Sequence, residues 1–170
     1  EKDLVGGTCL NRGCIPTKAL LASAEALAKA RSGEEYGFKI TGEVRPDITR
    51  IMERKNRVVT HLRDNIEVLL KKAKVQVVRG SGSLTGPGTV FVDTADGPVT
   101  LEADRIILAT GSEPAYLPMF DFSHPSILTS TSALELDKIP ESLLIVGAGV
   151  IGCEFASFFA EMGTQITMVE

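Results

Sequence analysis

The sequence predicts an α/β fold, and three observations predict it. Two long segments, Thr17–Arg31 and the run from Asp47 to about Ala73, carry the composition or spacing of helices. From Val75 the period drops to two, and short apolar runs alternate with Gly/Pro turns. From Leu143 an apolar strand, a glycine-rich turn, a helix and a second strand follow in order.

Composition bounds the function. The 170 residues are 44% hydrophobic and 24% charged, with a formal net charge of −4. Those values exclude a disordered tail and a long coiled coil, and they argue against a broad nucleic-acid footprint. The longest apolar stretch, Leu143–Cys153, is shorter than the roughly 18 residues a membrane helix needs. Three cysteines are too few for a disulfide scaffold and point to redox, metal or structural thiols. The reading starts without methionine and ends in a strand, Gln165–Glu170, so a piece of a longer polypeptide is expected.

The opening residues are glycine-rich and read as loop up to about Cys14. Pro16 suits the first turn of a helix, and Ser32-Gly33 ends the alanine- and leucine-rich run. Asp47 is a good N-cap for the second helix. Its apolar positions are Ile48, Ile51, Val58, Leu62, Ile66, Leu69 and Ala73. Arg50, Arg54, Lys55, Arg57, Arg63, Lys71 and Lys72 read as its solvated basic face. Val75 and Val77, Thr89–Asp93 and Val99–Leu101 read as short strands, and Arg105–Ala109 as a strand covered on both faces. Residues 113–142 hold four of the eight prolines and form the best interdomain crossover.

Cys9 and Cys14 lie in the string Gly6-Gly-Thr-Cys-Leu-Asn-Arg-Gly-Cys-Ile-Pro-Thr-Lys18. A thiol at a helix start feels the partial positive charge of free N–H groups, and Lys18 adds a cation one turn on; both favour thiolate. Residues five apart in a regular helix have Cα atoms roughly 8–9 Å apart, whereas a disulfide needs less than about 7 Å. If the two pair, the backbone between them must leave helical geometry, and Gly13 best permits that. Two structural thiols, or half of a metal site, remain open on spacing alone; a zinc site would need ligands the sequence does not group. Cys153 reads as a small buried hydrophobe, and neither His61 nor His124 as a catalytic base.

Gly147-Ala148-Gly149-Val150-Ile151-Gly152 follows the strand Leu143–Val146, and Glu170 closes the next strand. This is the order of a dinucleotide-binding unit. Gly147 permits the tight turn, Gly149 lets a pyrophosphate approach the backbone, and Gly152 lets helix and strand pack closely. A carboxylate at Glu170 suits ribose hydroxyls and disfavours a 2′-phosphate, which selects NAD over NADP.

The cysteine string, together with Ala109-Thr-Gly-Ser112 and the glycine turn, resembles the flavin-dependent pyridine nucleotide–disulfide oxidoreductases. Leu-Asn-Arg between the cysteines and Ile-Pro-Thr-Lys after them are most similar to the members that oxidise dihydrolipoamide. The resemblance implies a truncated, three-layer Rossmann-like fold binding FAD and NAD(P). Residues 1–112 would be part of the FAD domain, 113–142 the crossover, and 143–170 the start of the NAD domain. It implies a redox disulfide between Cys9 and Cys14, with Cys14 facing the flavin in a charge-transfer contact and Cys9 exchanging with substrate. It places Gly7, Thr8, Cys9 and Lys18 against FAD, pairs Lys18 with Glu154, and assigns Glu1 to the FAD ribose. Gly82 falls near the adenine, and Thr110, Gly111 and Ser112 form a second FAD contact. Gly147, Ala148, Gly149, Val150, Ile151, Gly152 and Glu170 would hold NAD, with no metal.

The implied substrate is dihydrolipoamide on the lipoyl domains of 2-oxo acid dehydrogenase complexes. The implied whole is a soluble homodimer of the cytoplasm or an organellar matrix, in contact with neither nucleic acid nor membrane. The 170 residues alone are expected to be inactive and to bind FAD poorly. The rivals are a glutathione or mercuric reductase-like enzyme, a non-catalytic interaction domain and a structural zinc module.

Overall fold

The computed structural model describes residues 1–170. Its elements are α1 (Gly7–Arg12), α2 (Cys14–Arg31), a 3-10 turn (Gly33–Tyr36), α3 (Ile48–Lys72), β1 (Ser81–Gly86), β2 (Thr89–Thr94), β3 (Gly97–Glu102), α4 (Ser130–Ala133), β4 (Ser142–Val146), α5 (Val150–Glu161) and β5 (Gln165–Val169). The strands make an antiparallel β1-β2-β3 meander and a parallel β4-β5 pair. The α/β class read from the sequence is therefore the one that forms.

α2 starts at Cys14 because the Gly13 carbonyl accepts from the Thr17 amide at 3.2 Å and from Thr17 Oγ1 at 2.7 Å. Its Leu20, Ala24 and Leu27, three or four residues apart, form one buried stripe. That stripe packs with Ala133 and Leu134, with Phe155, Phe158 and Phe159 of α5, and with Met162 just after it. Phe158 and Phe159 meet edge to face at 4.9 Å. The first long helix and the last one thus share a single core, which carries the cysteine string and the glycine turn on one support.

α3 is capped as expected, with Asp47 accepting from the Arg50 amide at 3.1 Å. Arg50, Arg57, Lys71 and Lys72 are exposed, but Lys55 is not. Its side chain is 2% accessible and donates to the Leu134 carbonyl at 2.6 Å and to Glu135 Oε1 at 3.0 Å. Position 55 lies four residues after Ile51 and four before Val59, on the packed stripe, so an ammonium there must be satisfied internally. Arg54 likewise braces α2, donating to the Ala19 carbonyl at 2.7 Å. Replacing Lys55 by Ala removes the clamp and leaves a cavity, so stability is expected to fall by about 3 kcal/mol, and by less in Lys55→Met. Chemical denaturation measures the difference, and equal midpoints for wild type and Lys55→Ala would refute the clamp.

Two expected strands do not form. Val75 bonds back to Leu70 at the end of α3, and residues 105–109 make no backbone hydrogen bond. Ile107 is 90% exposed instead of covered. A strand exists only where a neighbour completes its ladder, and this chain places none beside either segment. Conversely α1, β1 and α4 form without having been expected. β1 is rich in glycine and serine and takes its geometry from pairing with β2, Ser81 opposite Asp93 and Leu84 opposite Val90. α4 sits inside the proline-rich segment behind a capping box between Thr129 and Ser132. No helix is long and apolar enough to cross a membrane.

Candidate functional site

Cys9 lies in the first turn of α1 and Cys14 is the first residue of α2. Between them Gly13 has φ −142° and ψ −114°, so helical geometry is interrupted at the residue best able to permit it if the two cysteines are to pair. A Cβ on Gly13 would lie 3.2 Å from both the Cys9 Cα and the Thr8 carbonyl oxygen, which leaves little room for any other residue. Both cysteines are free and exposed. The hydrogen bond with Cys9, followed by desolvation and the Cys9 charge, raises the Cys14 pKa above the ordinary thiol range. A backbone hydrogen bond and Lys18 pull in the opposite direction, as the helix-start argument expects, but Cys9 outweighs them. Thiolate on Cys14 therefore forms at higher pH than in a free cysteine while its neighbour is reduced. Cys9→Ala is expected to shift the pH midpoint of Cys14 alkylation downward, and Lys18→Met to shift it upward. An unmoved midpoint in both variants would show that the thiols do not interact.

Lys18, one turn into α2, forms an ion pair with Glu154 of α5. The lysine is largely exposed and the glutamate largely covered, and the pair ties the cysteine-bearing α2 to α5. The turn at residues 110–112 reaches the same place from another direction. Thr8 Oγ1 donates to the Ser112 carbonyl at 3.2 Å and accepts from the Ser112 amide at 3.1 Å. Gly111 has φ +83°, and a Cβ there would sit 3.0 Å from Thr8 Oγ1. The structure thus brings Thr8, Thr110–Ser112, the cysteines and the Lys18–Glu154 pair into one region.

The glycine turn forms a second region at the top of β4. Gly147 has φ +105°, Gly149 has open space where a Cβ would lie, and a Cβ on Gly152 would overlap the Gly147 carbonyl oxygen. Those are the tight turn, the exposed approach and the close packing that a phosphate-binding turn requires. The Gly147 amide bonds to the Val169 carbonyl at 2.8 Å, and the Glu170 carboxylate accepts from the Ala148 amide. This holds the acid at the mouth of the turn. Val150 and Ile151 are exposed beside it.

Residues 2–170 match the family model described as pyridine nucleotide-disulphide oxidoreductase. The chain belongs to that family. A dihydrolipoyl dehydrogenase of Bacillus subtilis (strain 168) is 43% identical over 171 residues, covering 100% of this chain and 37% of the relative. One from Chlamydia pneumoniae is 45% identical, covering 100% of this chain and 36% of the relative. Among solved structures, the HOCl-induced flavoprotein disulfide reductase RclA from Escherichia coli superposes with a TM-score of 0.77 at 30% identity, covering all of this chain and 35% of that one. Its Cu(II) complex gives 0.79, again at 30% identity, over 100% of this chain and 35% of that one. The chain spans little more than a third of the length of these pyridine nucleotide–disulfide oxidoreductases.

The remaining residues singled out in this family member are placed less centrally. Glu1 stands beside the start of β1, its amino group donating to the Val78 carbonyl and its carbonyl accepting from the Gly80 amide, each at 3.0 Å. Its Oε1 accepts from the Asp3 amide at 2.9 Å. Gly82 is exposed on β1, and a Cβ there would make only ordinary contact with Val90 at 3.6 Å. The glycine the backbone requires is Gly80, with φ +156° and no space for a Cβ against the Asp93 carbonyl. Gly80→Ala is expected to cost about 2 kcal/mol and Gly82→Ala less than about 0.5. Paired thermal melts check this, and the opposite ranking would contradict it. Cys153 is exposed rather than buried and donates to the Ala148 carbonyl at 3.2 Å, because it sits on the first turn of α5 facing the glycine loop. Asn11, between the cysteines, was not singled out by sequence; only its fixed place in the string pointed to it.

Proposed function

We propose that this chain carries the dithiol–disulfide exchange centre and part of both nucleotide sites of a dihydrolipoyl dehydrogenase, which oxidises dihydrolipoamide to lipoamide and reduces NAD. The observation that carries the reading is the placement of Cys9 and Cys14 on either side of a helix break at Gly13, with Lys18 one turn on and paired with Glu154. The 43–45% identity to dihydrolipoyl dehydrogenases supports this substrate over that of the flavoprotein disulfide reductase, at 30%. Residues 1–112 belong in this reading to the FAD domain, 113–142 to the crossover and 143–170 to the NAD domain.

In the oxidised state Cys9 and Cys14 share a disulfide. One thiolate of dihydrolipoamide attacks Cys9, forming a mixed disulfide and releasing Cys14 as thiolate. The second substrate thiol then closes the lipoamide ring and expels Cys9. Two electrons and two protons have moved from the substrate dithiol to the cysteine pair. Cys9, the more N-terminal thiol on the short α1, is the exchanging partner. Cys14, on the rigid α2 and in the field of Lys18, is the one that passes electrons inward.

The residues fit both cofactors: a glycine turn that a Cβ at Gly152 would destroy, and an exposed 110–112 turn bonded to Thr8. Gly7, Thr8, Lys18, Glu1, Gly82 and Thr110–Ser112 would hold FAD, and Gly147–Gly152 with Glu170 would hold NAD. Bound FAD supplies the two-electron relay between the cysteine pair and the nicotinamide. Glu170 sets the preference for an unphosphorylated ribose. Lipoyl domains of 2-oxo acid dehydrogenase complexes are the partners, in the cytoplasm or an organellar matrix, and the complete enzyme is a homodimer. Steady-state assays of the full-length protein with dihydrolipoamide and NAD test the reading; turnover of glutathione disulfide with NADPH in its place would favour the related reductase.

A further inference from the structure

We infer that Asn11 is a positioning residue that sets the thiol–disulfide equilibrium of the cysteine pair, with Arg63 as its anchor. The inference rests on the reading of Cys9 and Cys14 as a redox couple. Asn11 lies between the two cysteines, yet its side chain points back past Cys9. Its Nδ2 donates to the carbonyls of Val5 and Gly7, both at 3.0 Å. Arg63 of α3 donates to its Oδ1 at 3.4 Å. Both hydrogens of the amide and its oxygen are engaged, so the orientation of the group is fixed.

The need for such a clamp follows from the shape of α1. The helix is six residues long, its N-cap is Gly6 with φ +103°, and no side chain caps it. A helix this short is not stable on its own. Asn11 supplies the missing tie by binding its last turn to the Val5–Gly7 turn that enters it. Val5, just before α1, and Leu10, within it, are both buried, so packing holds the segment while Asn11 fixes its turn. Arg63 then joins this unit to the 25-residue α3. Cys9 rides on the clamped segment and Cys14 on α2, so the clamp determines how closely the two thiols are held before they bond. Pre-organisation of that kind raises the effective concentration of one thiol toward the other.

The reaction that reads this out is exchange with a small disulfide. The Cys9 and Cys14 thiols and one glutathione disulfide give the Cys9–Cys14 disulfide and two glutathione thiols, with no other reactant. Its equilibrium constant is measured on the full-length protein by alkylation and mass spectrometry across glutathione buffers. Asn11→Asp keeps the size and the Arg63 partner but replaces both donors with acceptors facing carbonyls. We expect the constant for disulfide formation to fall about tenfold, the loss of two ordinary hydrogen bonds. Arg63→Gln, which leaves α1 and its two carbonyl contacts intact, is expected to lower it about threefold. In whichever variants retain native circular dichroism, a constant within a factor of 1.5 of wild type overturns the proposal, even if the melting temperature drops. Failure of the wild-type pair to form a disulfide at any buffer ratio would instead remove the redox reading on which the proposal stands.

Discussion

Cys14→Ser in the full-length protein is expected to abolish dihydrolipoamide oxidation, lowering kcat by at least about a thousandfold, while leaving the fold intact. The reason lies in the pair. Cys14 is exposed at the start of α2, so the substitution removes one sulfur from the exchange without opening a cavity. Cys9→Ser should be equally inactive toward dihydrolipoamide, because a lone Cys14 leaves no Cys9–Cys14 disulfide for the substrate thiolate to attack. The two variants part company at the level of the remaining thiol. Cys14 alone keeps Lys18 nearby and loses the hydrogen bond that raises its pKa, so it titrates at lower pH than in the wild type. Activity in Cys14→Ser within tenfold of wild type would mean that the cysteines are structural and that the chain serves as an interaction domain.

Gly152→Val is expected to produce the second large effect, on stability and nucleotide binding together. A Cβ at this position overlaps the Gly147 carbonyl oxygen and comes within 3.3 Å of Ile145 Cγ2. The obstacle is backbone, so relief requires α5 to move away from β4. α5 carries Phe155, Phe158 and Phe159 into the shared core, and displacing it disturbs that core at the same time. A loss of about 3 kcal/mol or more is expected, with NAD binding too weak to saturate. Gly149→Ala provides the control. Its φ of −67° suits alanine and nothing lies within 4 Å of the added carbon. It should melt like the wild type and still bind NAD at least tenfold more weakly, since the methyl occupies the approach to the turn. Equal NAD affinity in Gly149→Ala and wild type would place the dinucleotide elsewhere.

Much of this was legible in the sequence, for physical reasons that differ between elements. α2, α3 and the β4-α5-β5 unit carry enough periodic apolar residues and strong enough punctuation to declare themselves. Chain geometry marks Gly13 as the place for a break only on the condition that Cys9 and Cys14 pair, and the backbone does leave helical geometry there. Lys55 has the residue type of a solvated face but the position of a core residue; its spacing from Ile51 and Val59 places it on the inner stripe whatever its charge. Arg105–Ala109 has a strand's composition but no partner in this chain, and composition cannot supply a ladder. α1 went unread because six residues without a capping side chain carry no local signal, and its stability comes from Asn11, Val5 and Leu10 acting across the turn. Cys153 was placed inside on the general habit of free cysteines, whereas the glycine loop it faces leaves it open. The glycines whose geometry the sequence argument anticipates most fully are those with strict backbone demands, Gly147 and Gly152. The steric need at Gly80 has no counterpart in a motif, which carries no φ angle.

The central claim is that Cys9 and Cys14 act as one two-electron couple toward a substrate dithiol. Differential alkylation of the full-length protein, before and after anaerobic treatment with dihydrolipoamide, addresses it directly. The account predicts that both cysteines are protected in the oxidised protein and become labelled together, with one lipoamide formed per pair and Cys153 labelled equally throughout. Cys9 and Cys14 fully labelled before treatment, or freed independently of one another, would contradict it.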